Sequence, residues 1–255
     1  MKYATRFLVV FALLLPYGAS ARDDFEDRGY WYPFVERFTW RGFDGGKQIT
    51  KEAGEAAGIG ATGEYLLAED TSLILRLKGD ASYGKGNFEE ALAPSVKASS
   101  KSSRIAARGE MDLGRRFLLR EGQVELIPFA GAGYRWSNKH VKAGTGVQGF
   151  HETWNSAYTR IGARSAYKFD RQVSALFEAG VKVPVYTSVN SSLSGKSFRP
   201  GSQVSFYMEA GVSYEKVRPI LYYEGFRYSA SAPSGGVEFP RMEGDILGLK
   251  VAFEF

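Results

Sequence analysis

The chain has no cysteine. Disulfide staples, thiolate metal sites and Cys-x-x-Cys redox chemistry are therefore excluded. Histidine is nearly as scarce, with two in 255 residues. Beyond the N-terminal region no apolar run approaches the ~20 residues that a membrane-spanning helix needs. Mean hydropathy is −0.25, which excludes a polytopic helical membrane protein. Charge of one sign is not in great excess either. The formal net charge is +5, no helix or stripe concentrates it, and so there is no nucleic-acid footprint. Glycine is abundant, with 30 residues, and aromatic side chains make up 15%. Both suit a closed sheet. Aromatics are strand formers and interface anchors, and glycine lets strands approach closely.

From Phe34 onward apolar and polar residues alternate in runs separated by turn residues, which predicts ten strands. The last run is the clearest. Leu247, Leu249, Val251, Phe253 and Phe255 form one face; Ile246, Gly248, Lys250, Ala252 and Glu254 form the other. The first run, Phe34 to Phe43, is read with Phe34, Phe38 and Trp40 outward and Arg37, Thr39 and Arg41 inward. Glu36 spoils that outward row. The fifth, Val124 to Trp136, contains Pro128, which weakens a strand reading. Eight strands are the fallback if the first or fifth fails. Short connections near 69–71, 120–122, 170–172 and 215–217 alternate with Gly/Ser/Lys-rich segments at 44–54, 84–103, 137–153, 187–201 and 229–243, read as long loops. The expected fold is all-β: an antiparallel up-and-down transmembrane β-barrel, apolar faces to lipid and polar faces to the interior.

At the other end, Lys2 and Arg6 precede an apolar run from Phe7 to Leu15, then Pro16, Gly18 and the small triplet Ala19-Ser20-Ala21. These are the three regions of a secretory signal peptide over residues 1–21. Residues 22–33 are read as a periplasmic leader, with Asp23, Asp24, Glu26 and Asp27 solvated and Tyr30-Trp31-Tyr32 anchoring at the membrane interface. The barrel is assigned to 34–255.

Signal peptide, alternating strands, alternating connection lengths and a terminal Phe together resemble the small bacterial outer-membrane β-barrel proteins. The resemblance implies a bacterial outer-membrane location. It also implies that Val251, Phe253 and Phe255 are the signal read by the barrel-assembly machinery. Outer-membrane lipid and lipopolysaccharide are the expected surroundings, and Lys85, Lys97, Lys101 and Arg104 are candidates for contact with lipopolysaccharide phosphates by charge attraction.

The inward rows are crowded with charge. Glu64, Lys78, Glu110, Arg164, Glu178, Glu209, Glu224 and Lys250 fall at similar depths, with Arg76, Arg108, Arg160 and Lys182 close by. A barrel of about ten strands has an interior largely filled by side chains, so acids and bases at one level should pair across it. This belt is expected to be a polar plug. A narrow channel for ions or small solutes, gated or not, is the alternative.

Other motifs carry less. Gly58-Ile59-Gly60-Ala61-Thr62-Gly63 matches G-x-G-x-x-G but lies inside a strand, without the strand-helix context of a dinucleotide site. His140 and His151 fall in one predicted loop, eleven residues apart, without metal-ligand spacing. Ten-stranded outer-membrane proteases use a His–Asp pair with a second acid pair, for which Asp44 and Asp245 are the acids to consider. Barrel lipid-A deacylases use His-x-Ser, from which His151-Glu152-Thr153 departs. No catalytic residue, metal site, cofactor or nucleic-acid partner is assigned. The expected function is a non-enzymatic structural or surface-interaction role through long external loops, with channel second and enzyme third. The sequence names no external ligand.

Overall fold

A strand that crosses hydrocarbon must have both edges paired, because no water is there to satisfy its backbone. The computed structural model meets that condition by closing on itself. It describes residues 27–68, 70–93, 96–144, 146–233 and 236–255, with side chains 92, 93, 96 and 97 left out. The predicted signal peptide and Asp23, Asp24 and Glu26 lie outside this set, as does the Lys97 side chain.

The strands are β1 (Arg28–Asp44), β2 (Lys47–Ala68), β3 (Leu73–Ala93), β4 (Val96–Arg115), β5 (Phe117–Leu119), β6 (Val124–Val141), β7 (Phe150–Lys168), β8 (Val173–Ser191), β9 (Lys196–Phe198), β10 (Pro200–Ser202), β11 (Ser205–Tyr214), β12 (Val217–Ser231) and β13 (Arg241–Glu254). Ten of these form the wall, since β5 continues β4 and the short β9 and β10 lie in the connection from β8 to β11. Each wall strand pairs antiparallel with its neighbours, and β1 pairs β13 from Tyr30↔Glu254 to Phe43↔Arg241. That last pairing closes the barrel. There is no helix among the described residues.

The alternation holds in most strands. Outward residues such as Ile161, Phe206 and Leu247 are 64%, 68% and 56% exposed, while inward Arg160, Glu178 and Lys250 are buried. Large apolar side chains so open to the surroundings make sense against lipid, not water. Trp31, Tyr65, Tyr167 and Tyr214 lie toward one edge of this belt and Tyr83, Tyr134, Tyr186 and Tyr223 toward the other, as interface girdles do.

Strand β1 corrects the sequence reading. It begins at Arg28, six residues before Phe34. Tyr30, Tyr32, Phe34, Phe38 and Trp40 are buried in the interior, whereas Trp31 and Val35 are exposed. The expected parity was therefore reversed. Glu36 is the residue that reports the true parity, since it turns inward and accepts a hydrogen bond from Tyr222 Oη at 2.8 Å. Aromatic bulk fits inside because glycine lies opposite it. A Cβ on Gly60 would fall 2.3 Å from the Tyr32 ring, and one on Gly58 2.3 Å from the Phe34 ring. The G-x-G-x-x-G segment thus provides flat floor for two rings. Of the predicted interface anchors, only Trp31 faces out, stacked on Phe253 with centroids 4.7 Å apart.

The segments read as long loops are a second correction. Most of their residues are strand. β1 turns into β2 through Gly45 and Gly46 alone, both at positive φ, where glycine is at ease. β2 runs for 22 residues, against the about 9–11 that cross a membrane. The wall therefore rises well beyond the apolar belt at this end. Pro128 is tolerated because its ladder is already broken on one side: β4 pairing ends at Gly114↔Phe129 and resumes with Leu126 on β5.

The reversed parity of β1 is testable with spin labels at Val35→Cys and Phe34→Cys in refolded protein. The label at 35 should be open to lipid-dissolved oxygen and the label at 34 shielded. The opposite pattern would restore the parity read from the sequence.

Candidate functional site: a charged lumen under an aromatic layer

Inward positions at one depth on neighbouring strands bring acids and bases together. Every predicted belt residue is there, and they join one connected network. Arg164 contacts Glu64, and Arg76 lies 3.8 Å from the same carboxylate and 2.5 Å from Glu178. Glu178 also accepts from Arg160 at 2.6 Å, and Arg160 reaches Glu110 as well as Asp112 at 3.3 Å. Glu110 is met by Lys182 at 2.8 Å and by Tyr158 Oη at 2.7 Å. Lys78 lies 3.0 Å from Glu209, which Lys250 approaches to 2.5 Å. Lys182 and Arg108 both engage Glu224, the latter at 2.6 Å, and Arg108 continues to Asp80 at 2.6 Å.

Asp80, Asp112 and Arg135 belong to this network but not to the predicted belt and its predicted neighbours. The sequence did carry the signal, because each occupies an inward parity position on a strand already read. The network runs across the barrel and not merely along the wall. Arg76–Glu178 joins β3 to β8, and Lys78–Glu209 joins β3 to β11. Rings fill the space between: the Arg160 guanidinium sits 4.5 Å from the Tyr207 centroid and Lys182 4.9 Å from that of Tyr158.

Toward the short-turn end the lumen keeps a cavity of about 160 Å³, lined by Arg28, Tyr30, Glu64, Arg76, Arg164, Arg218 and Lys250 among others. Toward the other end lies an aromatic layer. Trp40 stacks on Phe226 at 5.4 Å and lies 5.9 Å from Trp154, which meets Tyr228 at 5.5 Å and Phe239 at 5.4 Å. Phe198 and Phe239 come from connections that fold inward, the latter tied by hydrogen bonds to Ser231.

Arg104, a predicted external contact, is instead buried in this layer. Its guanidinium lies 4.8 Å from the Trp40 centroid and 2.5 Å from Glu52. Lys101 is exposed and donates to Asn87 at 2.7 Å, and Lys85 is exposed on the outer wall.

The two histidines are not in a loop. His140 on β6 and His151 on β7 are register partners on the outer face, with their Nδ1 atoms 3.1 Å apart. Asp44 is exposed at the end of β1. Asp245 is held by Arg41 at 2.9 Å and by Arg227 and Tyr223 at 2.8 Å each. It lies on β13, away from the histidine hairpin, so neither acid forms a His–Asp pair. Among the described residues no three or more His, Cys, Asp or Glu side chains gather as a metal cluster.

No protein-family model matches the chain, and no curated protein is significantly similar in sequence. Solved structures do match in shape. The outer membrane protease OmpT from Escherichia coli aligns with TM-score 0.61 at 12% identity, covering 90% of this chain and 96% of that one. The translocator domain of the autotransporter NalP from Neisseria meningitidis aligns with TM-score 0.51 at 10% identity, covering 100% and 95%. The transport unit of the autotransporter AIDA-I from Escherichia coli gives 0.50 at 12%, covering 99% and 97%.

Above the apolar belt, the Glu52–Arg104 pair makes the layer pH-sensitive. Burial alone would raise the Glu52 carboxyl, but Arg104 and Lys139 outweigh it and hold it below its ordinary value. A carboxyl lowered on folding stabilises above its unfolded pKa of about 4.3, and that contribution is lost as pH falls through the folded value. Glu52→Gln should therefore cost about 1–3 kcal/mol at pH 7, with the deficit shrinking on acidification. Urea unfolding in vesicles at pH 7 and pH 3 checks this, and a deficit that grows in acid would contradict it.

The closed antiparallel topology and the lipid-facing belt agree with these likenesses, and the fold of this chain is that of the bacterial outer-membrane β-barrel proteins.

Proposed function

We propose that the protein is a non-conducting, non-enzymatic outer-membrane barrel with a structural and surface-interaction role. One observation carries the reading. The lumen is crossed first by a paired charge network and then by a layer of contacting aromatic rings. Buried charges that are paired and hydrogen-bonded stabilise one closed arrangement, and toward the external end the rings pack around the paired groups Glu52–Arg104 and Lys139–Glu152. The cavity at the periplasmic end favours the channel alternative as a vestibule, but its lining ends at the belt.

The surface role rests on the tall wall and not on long loops. Polar strand surface above the belt, such as Glu55, Asn87 and Lys101, is what a partner outside the cell would meet. Lipid is the other partner. An open groove on the outer wall is lined by Val35, Ala57, Tyr83, Leu247 and Leu249 below and by Arg37, Glu55, Lys85 and Lys101 above. An apolar floor and a rim of three cations to one carboxylate suit an acyl chain and the phosphate of lipopolysaccharide. The outward row Val251, Phe253 and Phe255 supports recognition by the barrel-assembly machinery.

Refolded protein in a planar bilayer should show no steady conductance. A steady conductance that changes with Glu209→Gln would overturn the closed reading and promote the channel.

A further inference from the structure

Two histidines in this chain, eleven residues apart, are brought together by the β6–β7 hairpin register. His140 pairs with His151, and their rings are nearly perpendicular, at 82°, with centroids 4.1 Å apart. The Nδ1···Nδ1 separation of 3.1 Å has a chemical meaning. For metal–nitrogen bonds of ~2.0–2.1 Å it corresponds to an angle at the metal of roughly 95–100°, between the cis octahedral and tetrahedral values. We propose that His140 and His151 form an externally exposed two-nitrogen chelate for a divalent transition-metal cation.

The surroundings fit this use. Both side chains are on the outer face above the apolar belt, His151 exposed and His140 partly so. The strand pairing that sets their spacing is reinforced at its edge. His151 N–H donates to Ser192 Oγ at 2.8 Å, and Ser192 N–H returns a bond to the His151 carbonyl at 2.9 Å. Ser103 lies opposite His140 on β4, so the pair sits in a row flanked by serines. One step toward the membrane, Asn138 donates to Thr153 at 2.9 Å. Neutral oxygen groups and water are thus at hand for the remaining coordination positions.

The charged neighbours do not provide a competing partner. Glu152 turns into the lumen, where it meets Lys139 at 2.7 Å. Lys101 on β4 is engaged by Asn87, and Lys142 is the other cation on this outer row. With two imidazoles and no carboxylate, the donor set selects borderline cations over Ca²⁺ and Mg²⁺. Cu²⁺ should bind most tightly, followed by Ni²⁺ and Zn²⁺. Binding requires both rings neutral, so it weakens in acid.

The test uses untagged, refolded full barrel titrated with CuCl₂, read by calorimetry and by electron paramagnetic resonance. One Cu²⁺ should bind with two coupled nitrogens. His140→Ala and His151→Ala should each lower affinity at least about tenfold, while Lys142→Ala leaves it unchanged. Heat-modified electrophoretic mobility confirms that each variant is folded. Unchanged affinity in either histidine variant, a one-nitrogen signal, or no binding by the parent would overturn the proposal and leave the contact as a histidine–histidine hydrogen bond.

Discussion

Hydrocarbon offers a peptide group no hydrogen-bond partner, so a chain that crosses it as strands must pair every strand on both sides. The β1–β13 ladder meets that demand, and the rest of the architecture follows from it. Ten wall strands close a narrow tube. A narrow tube has little room for water, so its inward side chains must fill the space and satisfy one another. Charged groups then persist only as partners, which is why Glu110 has Arg160, Lys182 and Tyr158 around one carboxylate.

The same constraint explains the division of labour along the axis. Within the apolar belt the wall needs an oily exterior, and the interior carries the charge. Above it the exterior is free to be polar. The strands continue there as a raised wall, and the interior becomes aromatic. Phe198 and Phe239 complete that layer from the connections, so the segments that do leave the sheet serve to fill its mouth. Glycines opposite Tyr32 and Phe34 are the counterpart of this filling, since each ring needs a floor without a Cβ.

Much of this was legible in the residues, and the failures have physical causes. In β3, β4, β11 and β13 one face is apolar and the other charged or small, so parity could be read directly. In β1 the contrast points the wrong way, because the interior there holds the rings of Phe34, Phe38 and Trp40 and the outer face carries Arg37, Thr39 and Arg41. Between Tyr30 and Trp40, Glu36 is the one charged residue in the inward row, and its hydrogen bond from Tyr222 marks that row as the interior. The tall wall was missed because polar strands beyond the membrane lack an apolar face and resemble loops in composition. The belt was legible because depth can be counted from short turns. Its connections across the lumen could not be counted, since they depend on which strands face one another through the barrel. The histidine pair was invisible for a related reason: only the hairpin register turns eleven residues of separation into 3.1 Å.

If the charges paired through the lumen hold the barrel together, they must be energetically coupled. A double-mutant cycle on Glu110 and Arg160 tests that coupling most directly, with Glu110→Gln, Arg160→Met and the double variant compared by urea unfolding in vesicles. Each single change should cost about 3–5 kcal/mol and the double change well under their sum, a coupling above ~1.5 kcal/mol. Costs that add to within ~0.5 kcal/mol would mean the two groups act independently, and the belt would not be the paired network described.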